Sequence, residues 1–538
     1  MKFKKRKSIL IFMPLIFCLG NSACQNSNTD RESKEPIELS EKQKVEDIKY
    51  LFHFISEISP FRKLVEKEFG FPDLMELEKE YIEKAKESNS NKEFINLVGE
   101  LIQILEQGNP HAEIMEGQKI PANLDTALVC LKSNITPPAI ELNNYWWDVL
   151  DYFSKDSYSE LKVGYKSGQY VVLKDFQGND VTIKKGSIVS KINDLKPVEY
   201  LKSIQHKMWL RFDDNLKIPY ASNGSPFSTD AETKRKFWNV EVNNPDGTIT
   251  KLSLEKKKGF RNSMPYPMNQ ENVLCKELDE NIAYLKIFNF PDTSKVNADR
   301  LIIKDFFKKT QSNYEALIID LRGHNGGIPI YGEKLLIQPF LKTKQQYIQY
   351  AAVNRNIYDE LLKQIAIRDS LGDPLSGVNF GQIEKIDYSK LLVEIKDNNE
   401  LNSDFYYFKM TKQIYPENNY KFNGKIFLLI DNNCFSAAED IIRQFKELKI
   451  GKIIGVNSLG GAAVVLPPWL FEVPNCHLLF KTEVELAFNS DGSINELYGT
   501  KPDINLEPSS YPTTFPENFS KEELLNDKWI KWIIDNEL

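Results

Sequence analysis

From residue 275 onward, short apolar runs alternate with helical ones, and this rhythm narrows the possible fold more than any other feature of the chain. Ile282 to Phe288 and Ala316 to Ile319 are strand-like, and Leu301 to Lys309 between them has helical spacing. Lys425 to Ile430 leads into a helical run, Ala437 to Lys449, that places Ile441, Ile442, Phe445 and Leu448 on one face and stops at Gly451. Ile453 to Val456 then resumes the sheet. Apolar strands separated by helices make parallel sheets covered on both faces, so this region is expected to be an α/β core. Residues 328 to 420 break the rhythm with tyrosine and charge, and are expected to form a substrate-facing insertion or cover.

The rest of the chain has a different character. Val45, Ile48, Leu51, Phe52 and Ile55 fall at helical spacing, as do Phe94, Leu97, Val98, Leu101 and Leu105, which precede a stop at Gly108-Asn109-Pro110. Strand-like runs follow at Gln169 to Leu173, Ser187 to Ile192, Trp238 to Val242 and Thr248 to Leu254, with Pro245-Asp246-Gly247 as a turn. A chain of 538 residues exceeds one ordinary domain. The expected division is a signal peptide over 1–23, a flexible tether over 24–41, a helical unit over 42–157, a β-rich domain over 158–260, the α/β core over 275–510 and a helical tail over 511–538.

The leader is basic at Lys2, Lys4, Lys5, Arg6 and Lys7, apolar from Ile9 to Leu19, and ends in Asn21-Ser22-Ala23-Cys24. Such a segment is a signal peptide, too short to span a bilayer. Ser-Ala-Cys is similar to a bacterial lipobox, which makes Cys24 the expected lipidation site and the cell envelope the expected location; ordinary cleavage near Ala23 is the alternative. The formal charge is −7, and loss of the five basic leader residues leaves −12, without a basic patch carrying interleaved aromatics, so nucleic acid is excluded as a partner. Cys130, Cys275, Cys434 and Cys476 show no CxxC spacing, so no metal site is expected and disulfide pairing stays open.

Two segments carry chemistry. Asp320-Leu321-Arg322-Gly323-His324-Asn325-Gly326-Gly327 opens from an apolar strand, and its glycines let backbone N–H groups face a developing oxyanion. Cys434-Phe435-Ser436-Ala437-Ala438-Glu439 lies between a strand and a helix. There Ser436 and Glu439 fit a capping box, but a serine beside the free N–H of Ala437 at a helix N-terminus also suits a nucleophile.

These segments resemble the D-x-R-x-N-x-G-G and T-x-S-A-A-E motifs of the tail-specific, C-terminal-processing serine peptidases, family S41, with His324 at the asparagine position and Cys434 at the threonine position. Many members activate the serine with a lysine in a T-x-G-K-G turn, which here reads Ser458-Leu459-Gly460-Gly461-Ala462 and lacks that lysine. A second branch uses Ser, His and Glu. Asn109-Pro110-His111-Ala112 resembles its D-G-H-T segment, and Glu496 to Asp503 its E-x-x-G-x-x-P-D-I segment. Of the five histidines, His53, His206 and His477 lie outside any motif. The resemblance thus implies Ser436 as nucleophile, His111 as base with His324 as the alternative, Glu496 as the carboxylate that orients the base, and an oxyanion hole from Ala437 with Gly326 or Gly327.

The resemblance further implies a multidomain α/β fold, with a ClpP/crotonase-like core, and a PDZ-like domain around Gly186 to Asn193 that binds extended polypeptide by strand addition. A structural β insert is the alternative for that domain. No metal or organic cofactor is called for. The expected activity is endopeptidase cleavage of extended or unfolded polypeptides outside the cytoplasm, by a protein tethered to the membrane through its lipid. A peptide-binding protein without catalysis and an esterase-like acyl hydrolase are the alternatives. The oligomeric state is not legible.

Overall fold

The computed structural model describes residues 37–61, 73–107, 109, 111–115, 135–149, 157–178, 181–205, 210–213, 216, 218–221, 225–227, 236–258, 271–279, 281–291, 293–309, 314–371, 382–386, 404–417, 422–462, 468–506 and 519–538. The chain divides into two units, 1–38 and 39–538. Of the first, only Ile37 and Glu38 are described, outside any helix or strand. The expected signal peptide, Cys24, Cys130 and His206 lie outside the described residues.

The helical spacing near the N-terminus yields α1 (Glu41–Glu57), α2 (Leu74–Glu87) and α3 (Asn91–Leu105). Ser40 and Gln43 form a reciprocal capping box at the start of α1, satisfying two backbone donors that the first turn would leave unpaired. Phe94, Ile95, Val98 and Leu101 of α3 are fully buried, as the periodicity requires.

The β-rich region forms a five-stranded antiparallel sheet from β1 (Val163–Lys166), β2 (Gln169–Val172), β3 (Ile188–Ile192), β4 (Phe237–Asn243) and β5 (Ile249–Glu255), in the order β5-β4-β3-β2-β1. The β4–β5 turn uses Gly247 at φ 83°, where a side chain would be strained. A helix, Pro197–Ser203, and a hairpin, Leu210–Asp213 with Ile218–Ala221, accompany the sheet.

The α/β core contains β6 (Val273–Asp279), β7 (Ile282–Ile287), α4 (Val296–Lys309), β8 (Ala316–Asp320), β9 (Gln345–Asn354), β10 (Phe405–Ile414), β11 (Lys425–Ile430), α5 (Ala437–Glu447), β12 (Lys452–Gly455), β13 (Glu485–Phe488), β14 (Ile504–Asn505) and α6 (Lys528–Glu537). Its main sheet runs β6-β7-β8-β11-β12-β14, parallel except for the β6–β7 pair. Every residue of β7 and β8 is buried because both faces are covered. Ile303 and Phe307 of α4 pack on one face with Ile441, Ile442 and Phe445 of α5; Trp529, Ile530 and Ile533 of α6 pack on the other. Full burial of each such side chain contributes about 1.5–3 kcal/mol.

The described residues of the segment 328–420 are more regular than its composition suggests. The long strands β9 and β10 pair antiparallel over ten residues, and β13 and the strand Gln382–Ile386 complete a four-stranded sheet. Within β10, Phe405 and Tyr407 are buried, then Phe408, Met410, Lys412 and Ile414, an alternation that shifts by one residue at Phe408 and that the surrounding charge obscures.

Candidate active site

In an open parallel sheet the loops beyond the carboxyl ends of neighbouring strands converge, and three of them do so here. The Asp320 to Gly327 segment leaves β8, the Ser436 turn follows β11, and Ser458 to Ala462 follows β12. The backbone ladder continues past the strands: Leu321 N donates to Leu429 O at 2.9 Å, Phe435 N to His324 O at 3.0 Å, Leu459 N to Cys434 O at 2.8 Å and Ser436 N to Gly460 O at 3.2 Å.

Ser436 stands at φ 58°, ψ −123°, a sparsely populated conformation for a residue with a side chain, and its hydroxyl makes no capping bond to α5. The capping box suggested by Ser436 and Glu439 is therefore not formed. Glu439 turns instead to Asn495, whose amide donates to it at 2.6 Å, and to the hydroxyl of Thr500. A strained serine between a strand and a helix presents its hydroxyl rather than spending it on the backbone. Cys434 anchors the turn, its thiol donating to Leu321 O at 3.0 Å.

The glycine loop lies directly against this turn. Gly326 has φ 96°, and a Cβ placed there would come within 2.6 Å of Phe435 O and 2.9 Å of both Ala437 N and Ser436 Cβ. Only glycine fits between the two loops. The loop's base is a buried charge network: Arg322 donates to Asp320 and, at 2.9 Å, to Asp527, while Lys286 donates to Arg322 O. Burial disfavours the Asp320 carboxylate, yet the charges of Arg322 and Lys286 hold its pKa well below the usual range. His324 is wholly buried, its Nδ1 accepting from Gly326 N–H at 3.0 Å. Burial and then the charge of Lys286 lower its pKa to about 3, so it is neutral near pH 7.

The imidazole of His111 arrives by strand pairing. Glu113–Ile114 pairs antiparallel with Phe480 and Lys481, Glu113 opposite Lys481. Continued back by two residues, that register sets His111 opposite Glu483, and His111 Nδ1 meets Glu483 Oε1 at 2.6 Å. Asn109 holds the approach, its Oδ1 accepting from His111 N at 3.2 Å and its amide reaching Glu483 O and Glu106 Oε2. The His111 ring packs on Phe435, centroids 4.4 Å apart, so it lies beside the residue preceding Ser436. Gly461, at the position where the related turn carries lysine, leaves room: a Cβ there would stand 3.1 Å from His111 Cε1.

Glu106, Glu483 and Glu496 are buried carboxyl groups, of which Glu483 touches this imidazole and Glu106 reaches the His111 backbone through Asn109. Burial raises Glu106 to about 7, with Glu483 adding to the effect. Burial and the charge of Glu483 raise Glu496 well above the ordinary carboxylate range. Glu496, expected on the imidazole, instead accepts the N–H of Ala487 at 2.9 and 3.0 Å, and Glu483 takes its place at Nδ1. Of the two loop glycines, Gly326 has its N–H committed to His324. The N–H groups of Gly327 and Ala437 have no acceptor among the described residues.

The structure thus brings Ser436, Ala437, Gly326, Gly327 and His111 into one neighbourhood, and puts His324 behind the glycine loop with its ring sealed from solvent. His53 is exposed on α1, and His477 pairs with Glu472. Among the described residues no group of His, Cys, Asp and Glu is arranged to hold a metal ion. Glu483 was invisible in the sequence, since it sits in Thr482-Glu483-Val484-Glu485 with no motif and meets His111 across 372 residues. The pairing register of Glu113–Ile114 would have found it.

Residues 281–506 match the family model for Peptidase family S41. Among solved structures, the chain is similar to the crystal structure of mature CPAF, at 13% identity and a TM-score of 0.53, with 92% of this chain and 96% of that chain covered. It is also similar to the structure of mature CPAF complexed with lactacystin, at 14% identity and a TM-score of 0.51, with 92% and 97% covered. At such identities the likeness speaks for the fold, and it takes in 92% of the chain. No curated protein matches the sequence. The matched segment holds Ser436, the glycine loop and both late glutamates, so residues 281–506 are a Peptidase family S41 domain, that of a serine peptidase.

Proposed function

We propose that the chain is an endopeptidase of extended or unfolded polypeptides that works with a Ser436, His111 and Glu483 triad. The observation that carries this reading is the part-buried bond from His111 Nδ1 to Glu483, on an imidazole packed against Phe435. Ser436 Oγ attacks the peptide carbonyl while His111 Nε2 takes its proton. The imidazolium so formed is stabilised by Glu483 and gives its proton to the leaving amine. Water then attacks the acyl-enzyme with His111 again as base. The oxyanion is met by the N–H groups of Ala437 and Gly327. None of these steps calls on a metal or organic cofactor.

The five-stranded antiparallel sheet with its helix Pro197–Ser203 suits a PDZ-like module that receives a polypeptide as an added strand. The basic and apolar leader with Cys24 supports export and a lipid tether, which would present the site outside the cytoplasm. The non-capping, strained Ser436 disfavours a purely binding role, in which the hydroxyl would be free to cap its helix.

The test is cleavage of an unfolded protein by the wild type and by Ser436→Ala, His111→Ala and Glu483→Gln. Loss in all three supports the triad. Full cleavage by Ser436→Ala removes the nucleophile, and hydrolysis of small esters without cleavage of protein replaces the peptidase with an acyl hydrolase.

A further inference from the structure

We propose that His324 is a positioning residue that shapes the oxyanion pocket, its ring fixing the Gly326–Gly327 turn while its backbone carbonyl fixes the residue before the nucleophile. The inference rests on Ser436 being the nucleophile. It assigns His324 a role other than proton transfer.

The geometry has two arms. From one side, His324 Nδ1 accepts Gly326 N–H at 3.0 Å; from the other, His324 O accepts Phe435 N–H at 3.0 Å. One residue therefore ties the glycine loop to the serine turn. The ring is wedged against Phe290, centroids 4.0 Å apart, and the backbone of Phe290 closes the loop by donating to Gly326 O at 3.1 Å and accepting from Ile328 N at 2.8 Å. The loop needs such holding because Gly326 and Gly327, at φ 96° and 123°, have no Cβ to restrict them. Without an acceptor for Gly326 N–H, the turn loses one of its holds, and the peptide that carries Gly326 O and Gly327 N–H is left to the bond from Phe290 N, so the direction of Gly327 N–H is less sharply fixed. With the acceptor, Gly326 N–H is withdrawn from the substrate, and Gly327 N–H is left for the oxyanion.

The role requires Nδ1 to stay unprotonated, since only a lone pair accepts. The buried ring, next to Lys286, meets that condition across the working pH range. An asparagine, with a carbonyl of similar reach, would supply the same acceptor; leucine fills the space and supplies none.

The experiment measures kcat and KM for a peptide substrate, affinity for a peptide boronic acid that mimics the tetrahedral oxyanion, and thermal melting, for His324→Leu and His324→Asn. Removing an oxyanion donor costs about 10²-fold to 10³-fold in kcat. His324→Leu is expected to lose about 10²-fold in kcat with KM within about threefold, and boronate affinity is expected to fall in step. His324→Asn is expected to recover kcat to within about tenfold of the wild type. A His324→Leu enzyme with wild-type kcat, or a folded His324→Asn enzyme as poor as the leucine variant, overturns the proposal. If His324→Leu fails to fold, His324→Asn decides alone: retained boronate affinity supports the role and its loss overturns it. Ser436→Ala in the same assay separates the two readings, because its inactivity beside a fully active His324→Leu sinks only the His324 role, whereas its activity sinks the nucleophile and the role together.

Discussion

At Nδ1 of His111 two buried glutamates compete for the part of orienting the base, and hydrogen bonding decides between them. Glu483 touches the imidazole, whereas Glu496 has both oxygens on the Ala487 N–H and a pKa raised by burial and by Glu483 itself. Burial thus favours the neutral form of Glu496, and Glu483 is the carboxyl group that contacts His111. Glu483→Gln is therefore expected to lower kcat by about 10³-fold or more, as loss of a triad carboxylate does, and Glu496→Gln by far less; steady-state kinetics of the two variants reads this directly. Glu106 adds a pH signature. Its pKa rises from 4.5 unfolded to about 7 folded, so its contribution to stability is complete below 4.5 and is lost as pH climbs through 7. That loss is on the order of 3 kcal/mol. Melting temperatures at pH 5 and pH 8 should converge in Glu106→Gln relative to the wild type. The candidate serine and histidine could be picked out because each sits in a local motif. Glu483 was not, because its meaning comes from a strand pairing between distant segments.

At the scale of elements, the parallel strands and α5 were readable from hydrophobic period alone, since Ile441, Ile442 and Phe445 report one buried face. Strands β9 and β10 were not. Their buried positions include Gln349 and Lys412, the latter paired with Glu333, so polar residues stand where the alternation calls for apolar ones. Paired burial of charge hides a strand from any reading by hydrophobicity. The contact between the glycine loop and the serine turn also belongs to this scale. Gly326→Ala would push a methyl group to within 2.6 Å of Phe435 O at a φ of 96°. The expected outcome is a folded protein whose kcat falls by at least about 10²-fold, measured with the same peptide substrate.

Across the whole molecule, the site is held by segments far from it in sequence. Arg211, in the hairpin beside the five-stranded sheet, donates to Ser458 O at 3.1 Å and Leu459 O at 2.6 Å, reaching the turn that touches His111 and Ser436. Asp527 accepts from Arg322 beneath the glycine loop and also caps α6 through Trp529 N and Ile530 N. Asp527→Ala removes one carboxylate partner of the buried guanidinium and uncaps the last helix, and should cost about 3 kcal/mol, seen as a lower melting temperature. The order of motifs along the chain made the family legible, but these ties were not, because each joins a charged side chain to a partner that only the folded chain brings near. Activation of Ser436 by His111 underlies every step proposed for this site. Reaction of the full chain with a fluorophosphonate, followed by peptide mapping, tests it most directly. The label is expected on Ser436 and lost in His111→Ala, whereas a label elsewhere, none at all, or undiminished labelling without His111 would contradict the account.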